Sequence, residues 1–256
     1  MKRYVSSFLA FLILLLLWEF SVEIFQIEKF ILPAPSLVAG ALIASFPLLL
    51  EHSLQTAVEA LLGFGLAVIM GTCLALAMGL LPWVKRTVYP LIVVSQTIPI
   101  MAVAPLLIIW FGYDILPKVL VVALVCFFPI TVSTVEGLDH IDQDMVKLLL
   151  TMGATPGQIL RLVKFPGALP SFFAGLKISA TYSIMGAVIG EWLGGSKGLG
   201  IYMTRSMHSF LTERVFASIV AITAMSLILV GIIEIIARLT MPWLYQKISW
   251  QQDEKV

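Results

Sequence analysis

The sequence predicts an all-α polytopic membrane protein with six transmembrane helices. Of its 256 residues, 60% are hydrophobic and 12% are charged, and the mean hydropathy is +1.02. Soluble domains carry roughly a quarter charged residues and about half apolar ones, so this composition indicates an integral membrane protein. Six stretches are long enough to cross the hydrocarbon core, which takes about 20 mostly apolar residues.

The six predicted spans form one transmembrane domain over residues 1–256. They cover residues 5–25, 54–80, 88–111, 117–135, 169–192 and 215–239. The first could instead be a cleaved signal peptide, because Lys2 and Arg3 precede its apolar run. No small-residue cleavage site follows, and Trp18 and Glu19 interrupt the place where one would lie. We therefore expect this span to be retained.

Lysine and arginine predict the orientation, because cytoplasmic loops carry an excess of both. With the N-terminus inside, ten basic residues fall on the cytoplasmic side: Lys2, Arg3, Lys85, Arg86, Lys147, Arg161, Lys164, Arg238, Lys247 and Lys255. Five fall outside: Lys29, Lys118, Lys197, Arg205 and Arg214. We expect both termini, and the long polar segment 136–167, to be cytoplasmic in a multi-pass protein of the inner or plasma membrane.

Composition and spacing also argue against several functions. A net charge of +1 gives no bulk attraction for nucleic acid. The two cysteines, Cys73 and Cys126, lie in apolar segments and are predicted to be packing residues. The three histidines are too scattered for a zinc site, and no glycine-rich phosphate loop occurs. We predict no catalytic or metal site, and no nucleotide hydrolysis by this chain itself.

Four prolines interrupt the third and fourth predicted spans, at positions 90, 99, 105 and 129. Each removes an amide donor and bends or opens its helix, so nearby protein or water must satisfy the freed carbonyls. One interpretation is ordinary kinking, which membrane helices tolerate. The other is that Pro99, Pro105 and Pro129 line a pathway and flex between two states.

The polar segment 136–167 predicts two short helices joined by a corner. Residues 143–152 have the pattern of a helix, and Gly153 offers a left-handed C-terminal stop. Thr155 and Gln158 have the spacing of a capping box. Pro156 between them suits the first position of a second helix, and we expect Pro166 to end that helix. Such a corner at a membrane surface is suited to docking a soluble protein.

Ionisable groups within the last two spans each need a reason, because charge at membrane depth is costly. Glu234 and Arg238 lie at i and i+4 in the favourable order and are predicted to pair. Lys177, near mid-span, is expected to snorkel rather than to pair across the bundle, although both remain open. Glu191 at the outer end of the fifth span is either an interfacial charge in water or a contact of the pathway or of a docked protein.

Short motifs follow one another along the chain in a recognisable order. They are Ile31-Leu32-Pro33-Ala34-Pro35, Pro99, Pro105-Leu106, Trp110-Phe111-Gly112, Phe127-Phe128-Pro129, Gly153-Ala154, Phe165-Pro166, Leu169-Pro170, Gly175-Leu176, Glu191 and Gly198-Leu199-Gly200. In this order, and over nearly the whole chain to Trp243, the sequence resembles the membrane permease subunit of binding-protein-dependent ABC importers. Its branch is similar to the sulfonate, taurine, nitrate and thiamine-precursor systems.

The most specific part of the resemblance is the so-called EAA loop. In that loop a glycine is followed by nine residues and then by a hydrophobic-x-hydrophobic-Pro ending. Here Gly153 is that glycine, and residues 163–166 (Val-Lys-Phe-Pro) are that ending. The sequence departs from the pattern at 147–149, where Lys-Leu-Leu stands in place of Glu-Ala-Ala.

The resemblance implies the six-helix fold of a type I importer permease with a cytoplasmic coupling helix, and a pathway built from two permease copies, most simply a homodimer. It implies two ATPase subunits that bind ATP and Mg, so this chain would need no cofactor. It further implies a solute-binding protein on the outer face and alternating access in the lipid bilayer. The ATPase-coupling residues would be Gly153, Ala154, Thr155, Pro156, Gln158, Phe165 and Pro166.

Glu59, in the outer half of the second span, bears on the substrate. The sulfonate-type members would be expected to have arginine here, whereas glutamate looks more like the thiamine-precursor (pyrimidine) members, as does the run 190–194. The resemblance therefore favours a neutral or cationic heterocycle, with a sulfonate, taurine or nitrate-type anion as the alternative. With Glu191 and the three prolines at 99, 105 and 129, Glu59 completes the set of candidate pathway residues.

Two other classes of protein compete with the importer hypothesis. A stand-alone secondary transporter would place paired carboxylates or a polar filter near the midplane, whereas the acidic residues here lie mostly towards span ends. A membrane-embedded enzyme would need clustered His and Asp or a Ser–His pair at one depth, and all three histidines lie outside the predicted spans.

Overall fold

The computed structural model describes residues 2–244, with side chains from Ser6 onwards, and this part of the chain is all helical. The α-helices are α1 (Lys2–Ile24), α2 (Pro35–Ala44), α3 (Phe46–Leu80), α4 (Pro82–Ser95), α5 (Ile100–Phe111), α6 (Ile115–Asp139), α7 (Gln143–Thr151), α8 (Pro156–Ile159), α9 (Phe165–Gly194), α10 (Leu199–His208) and α11 (Thr212–Thr240). A π-helical segment, Leu160–Lys164, joins α8 to α9. The predicted all-α class is confirmed.

Five helical stretches of the described chain are long and apolar enough to cross a membrane. They are Ser6–Ile24, Phe46–Leu80, Ile115–Asp139, Pro156–Gly194 and Thr212–Thr240. The third predicted span is not one continuous helix, because α4 and α5 meet at a bend of 97°. Pro99 is the N-cap of α5 and has an extended backbone conformation. The residue before a proline also avoids the α-helical region, so the helix breaks at this point. Counted as one broken span, this pair makes six.

Helices α3, α6 and α9 form the core of the bundle, and small residues let them approach closely. A Cβ at Gly63 of α3 would lie 2.7 Å from the carbonyl oxygen of Val119, and one at Gly175 of α9 would lie 2.8 Å from that of Pro129. Between α6 and α9, Ser179 Oγ donates to the Cys126 carbonyl (2.9 Å) and Cys126 Sγ donates to the Ser179 carbonyl (3.2 Å).

The cysteine prediction is confirmed for Cys126, which is buried, whereas Cys73 is exposed on the outside of the described chain. Two short helices, α2 and α10, were not predicted. Helix α10 lies between α9 and α11 at the end of the bundle opposite the polar segment 136–167, and it packs against the first turns of α3. It therefore covers that end of the core.

Candidate functional site

The predicted corner of the polar segment is present. Asp142 caps α7, its carboxylate accepting from the Asp144 amide at 2.8 Å. The helix ends at Thr151, and Gly153 turns the chain with φ at +83°. That left-handed conformation favours glycine because a side chain there is strained. A Cβ at this glycine would meet nothing within 4 Å, so the requirement comes from the backbone alone.

The second helix of the segment starts with the predicted capping box. The Thr155 amide donates to Gln158 Oε1 at 2.8 Å, and the Gln158 amide donates to Thr155 Oγ1 at 3.4 Å. Pro156 occupies the first turn, where its missing amide costs no hydrogen bond. We call residues 153–158, which include Ala154, the capped corner. Its local chemistry fixes the geometry of an exposed turn.

The expectation that Pro166 ends the second helix is wrong. The chain continues through the π-helical segment into α9, and the Phe165 amide donates to the carbonyl of Leu160, five residues back. A proline removes one amide bond and its ring crowds the carbonyl four residues before it, here that of Leu162. A π-helical turn widens the helix locally and accommodates this crowding. The capped corner is therefore joined without a break to the most buried helix of the bundle.

Large apolar side chains are exposed around the capped corner. In α7 and beside it they are Met145, Leu148, Leu150 and Met152, and after it Leu162 and Phe165. Exposed apolar side chains grouped in one polar segment mark a site of interaction with a protein or a membrane. This surface, together with the rigid corner, has the properties of a docking site for another protein.

A cleft opens at the bend between α4 and α5. Its volume is about 310 Å³, and it is lined by Gln96, Ile98, Pro99, Ile100, Leu124, Val125, Phe128, Pro129 and Tyr182. Pro99 and Pro129 thus meet at one site, whereas Pro105, Glu59 and Glu191 do not line it. The polar groups on its walls are the Gln96 amide and the Tyr182 hydroxyl, and none of the lining side chains is charged. We call it the bend cleft.

Glu59 and Glu191 are fully buried at the end of the bundle opposite the capped corner. Glu59 Oε1 accepts from Lys118 Nζ (2.8 Å) and from Gln55 Nε2 (2.8 Å). Glu191 accepts from Thr56 Oγ1 (2.6 Å) and from the Gly200 amide (2.5 Å). The hypothesis that Glu191 is an interfacial charge in water is therefore wrong, because it is enclosed by α3 and α10.

The turn before α10 is built onto this buried polar cluster. The Gly198 amide donates to His52 Nδ1 (3.0 Å), and the Leu199 amide donates to Thr56 Oγ1 (2.9 Å). Gly198 has φ of +121°, and a Cβ there would collide with the Glu191 carboxylate. The side chains of His52, Thr56 and Glu191 thus replace water as the partners of three successive backbone amides, those of Gly198, Leu199 and Gly200.

Lys118 is the functional candidate that sequence reasoning missed. It was counted among the basic residues of the outer side, yet it is buried in the first turns of α6. A signal existed, since a carboxylate at membrane depth requires a partner, and Lys118 lies at the same end of its span as Glu59. Only the packing of α3 on α6 shows that the two meet.

Three charged residues of the last two spans, Lys177, Glu234 and Arg238, form one group. Arg238 Nε donates to Glu234 Oε1 at 2.8 Å, so the predicted i, i+4 pair is confirmed. Lys177 also forms an ion pair with Glu234, which makes the preference for snorkelling wrong. Within residues 2–244, no group of three or more His, Cys, Asp or Glu side chains could hold a metal ion.

Comparison with known proteins agrees with the fold. A family described as "Binding-protein-dependent transport system inner membrane component" matches residues 63–244. The formylaminopyrimidine transport permease protein ThiX of Halalkalibacterium halodurans is 38% identical over 236 residues, covering 92% of this chain and 94% of the relative. The riboflavin transport system permease protein RibX of Chloroflexus aurantiacus is 35% identical, covering 91% and 87%.

More distant proteins show the same pattern. The taurine transport system permease protein TauC of Escherichia coli is 32% identical, covering 75% of this chain and 70% of the relative. A structure of the inward-facing MetNI methionine ABC transporter superposes with a TM-score of 0.56 at 18% identity, over 73% of this chain and 96% of that one, which supports the type I importer fold. The resemblance drawn from the motifs is confirmed: the chain belongs to the family of inner-membrane permease components of binding-protein-dependent ABC importers.

Proposed function

We propose that this permease subunit is driven by a separate ATPase that docks at the capped corner, and that it imports a small neutral heterocycle of the thiamine-precursor class. The observation that carries the proposal is the unbroken helical path from the capped corner, through Leu160–Lys164, into α9. Force applied at an exposed turn reaches the core only if the connection is stiff. The capping box fixes the turn, and the π-helical segment keeps the helical backbone continuous from that turn into α9.

The mechanism is alternating access. ATP binding would close the ATPase pair and draw the capped corners of two permease copies together. Each α8–α9 unit would then move as a rigid body and reopen the pathway towards the solute-binding protein, and hydrolysis would reset it. ATP and Mg belong to the ATPase, so this chain contributes geometry rather than catalysis. A homodimer is the simplest assembly that the resemblance implies.

The capped corner is proposed to face the cytoplasm, with both termini on the same side. Basic residues of the described chain cluster at this end of the bundle: Lys85, Arg86, Lys147, Arg161 and Lys164. Lys247 and Lys255 lie outside the described residues, as do the side chains of Lys2 and Arg3. At the described positions alone the count is six, with Arg238, against five at the opposite end, so the excess of basic residues on this side comes mostly from the residues near the two termini.

The substrate part of the proposal depends on the bend cleft. Its walls offer two aromatic rings, Phe128 and Tyr182, and one side-chain amide, Gln96, without a cation. Such walls suit a neutral aromatic heterocycle, which stacks on rings and needs few hydrogen bonds. A sulfonate or nitrate would lose its hydration here without gaining a counter-charge. The 38% identity to a formylaminopyrimidine permease points in the same direction.

A secondary transporter driven by an ion gradient has less support. Its coupling carboxylates would need to exchange an ion with the pathway. Glu59 is instead paired with Lys118, Glu191 accepts hydrogen bonds from Thr56 and Gly200, and neither lines the bend cleft.

The test is reconstitution of the chain in liposomes with candidate ATPases and binding proteins. We expect uptake of a labelled aminopyrimidine that requires ATP, the ATPase and the binding protein, with little uptake of taurine. Uptake that persists without any ATPase would refute the importer mechanism. ATP-dependent uptake of taurine alone would refute only the substrate assignment. If a cysteine introduced by Ala154→Cys were labelled by a reagent that reaches only the outside of intact cells, the proposed orientation would be refuted.

A further inference from the structure

A second polar cleft lies at the end of the bundle opposite the capped corner. Its volume is about 220 Å³, and it is bounded by the first turns of α3, by α10 and by the start of α11. Its polar walls are His52, Tyr202, Arg205, Ser206, Ser209 and Arg214, and no Asp or Glu lines it. We call it the basic cleft. None of the proposed steps of transport uses it.

The two arginines of the basic cleft have charge that the described protein does not neutralise. Within residues 6–244, neither Arg205 nor Arg214 has a carboxylate within 4 Å, whereas the neighbouring Lys197 is paired with Glu51 at 2.9 Å. Arg205 donates to the Ser196 carbonyl at 3.2 Å, which uses one of its five N–H donors. Both guanidinium groups are exposed, and two of them without a carboxylate partner on one cleft can bind an anion.

The floor of the basic cleft contains a further unsatisfied donor. Tyr202 is 5% exposed, and its buried hydroxyl has no hydrogen-bond partner in the described part of the chain. A buried polar group without a partner is costly, so its presence beside the cleft is a second indication that the cleft binds a polar group.

The depth of the basic cleft matches the headgroup region of a bilayer. His52 lies just before the apolar run that begins at Leu54, and Arg214 lies just before the run that begins at Val215. Exposed apolar side chains border the same site: Leu48 is 43% exposed, and Phe210, next to Ser209, is 74% exposed. An inorganic anion makes no favourable contact with apolar side chains, whereas a phospholipid has acyl chains next to its phosphate that can pack against them.

We propose that the basic cleft binds the phosphate group of an anionic phospholipid from the surrounding membrane. Arg205 and Arg214 bind the phosphate oxygens, the serine hydroxyls of the cleft contact the headgroup, and Leu48 and Phe210 contact the upper part of the acyl chains. Basic pockets at membrane interfaces recognise anionic headgroups in this way. A bound lipid would join α3, α10 and α11, and so support the turn that encloses Glu191.

The experiment uses the full chain in phosphatidylcholine nanodiscs that contain a trace of photoreactive phosphatidylglycerol. Crosslinked peptides are identified by mass spectrometry. We expect crosslinks to residues 199–214 that unlabelled phosphatidylglycerol displaces and that extra phosphatidylcholine or millimolar inorganic phosphate does not. In R205Q/R214Q the labelling of this peptide should fall at least about tenfold, since each charge-assisted bond contributes that much. In K29Q, which removes a positive charge outside the cleft, it should not change.

Three outcomes would overturn the proposal. If millimolar inorganic phosphate displaced the photoreactive phosphatidylglycerol as well as unlabelled phosphatidylglycerol does, the cleft would be a site for soluble anions. Equal labelling of R205Q/R214Q and the unaltered chain would show that the arginines do not select the lipid. If R205Q/R214Q kept its lipid labelling but no longer retained a binding protein, the cleft would be a protein-docking site. The displacement arm needs no variant, so a folding defect in R205Q/R214Q would leave it decisive.

Discussion

Replacement of Lys118 by methionine should destabilise the bundle strongly, because it leaves the carboxylate of Glu59 buried without its cation. Lys118 Nζ lies 2.8 Å from Glu59 Oε1, and both side chains are buried. At an effective dielectric constant of about 20, this separation corresponds to an attraction of about 6 kcal/mol. In the intact protein this attraction compensates for the cost of burying the two charges, whereas in the variant the cost of burying the Glu59 carboxylate remains without that compensation. We expect Lys118→Met to cost about 3–5 kcal/mol of unfolding free energy.

The double variant Glu59→Gln/Lys118→Met should recover most of this loss, since it removes both charges together. Unfolding free energies from SDS titration in detergent, for the unaltered chain, both single variants and the double variant, form a double-mutant cycle. Lys197→Met is the matched control. Its pair with Glu51 has nearly the same length, 2.9 Å, but is more than half exposed, so its loss should be small. Equal effects of Lys118→Met and Lys197→Met would refute the argument that burial makes the difference.

Two further substitutions test the corner and the helix packing. Gly153→Val should destabilise the left-handed corner by about 1–2 kcal/mol and abolish uptake, while membrane insertion stays normal. The control is Gly157→Ala, at an open helical position, which should preserve uptake. Normal uptake by Gly153→Val would show that the corner geometry is not needed. Gly63→Leu should reduce the folded yield measured by fluorescence size-exclusion chromatography, because a Cβ at this position already collides with Val122. Gly65→Leu should be tolerated, because no atom lies within 4 Å of its new Cβ. Equal yields of the two variants would contradict the close approach of α3 and α6.

Local chemistry made much of the fold predictable. Long apolar runs predicted the spans, because a run is a property of consecutive residues, and the Thr155–Gln158 spacing predicted the capping box, because that box lies within one helical turn. The spacing of Glu234 and Arg238 predicted their pair for the same reason.

The features that could not be predicted from sequence depend instead on contacts between residues far apart in the chain. Lys118 and Glu59 are 59 positions apart, and nothing in either neighbourhood reveals that α3 and α6 bring them together. Pro166 has the local signature of a helix end, yet the packing of α9 holds the helix intact through a π-helical turn. The 97° bend has a local cause in Pro99, but its direction depends on what the two halves pack against. Sequence alone could name the candidates and could not place them.

The helical stretch Pro156–Gly194 has 39 residues, which at about 1.5 Å per residue makes a rod of about 58 Å. One end of this rod is the exposed turn at Pro156, and near the other end Glu191 accepts a hydrogen bond from the Gly200 amide in the first turn of α10. A tilt of about 5° around the middle of the rod would displace the two ends by about 2.5 Å each, in opposite directions. Communication between the two faces of the membrane therefore needs no chain of side-chain rearrangements, and substitutions that soften the middle of the rod should disconnect the faces without altering either one.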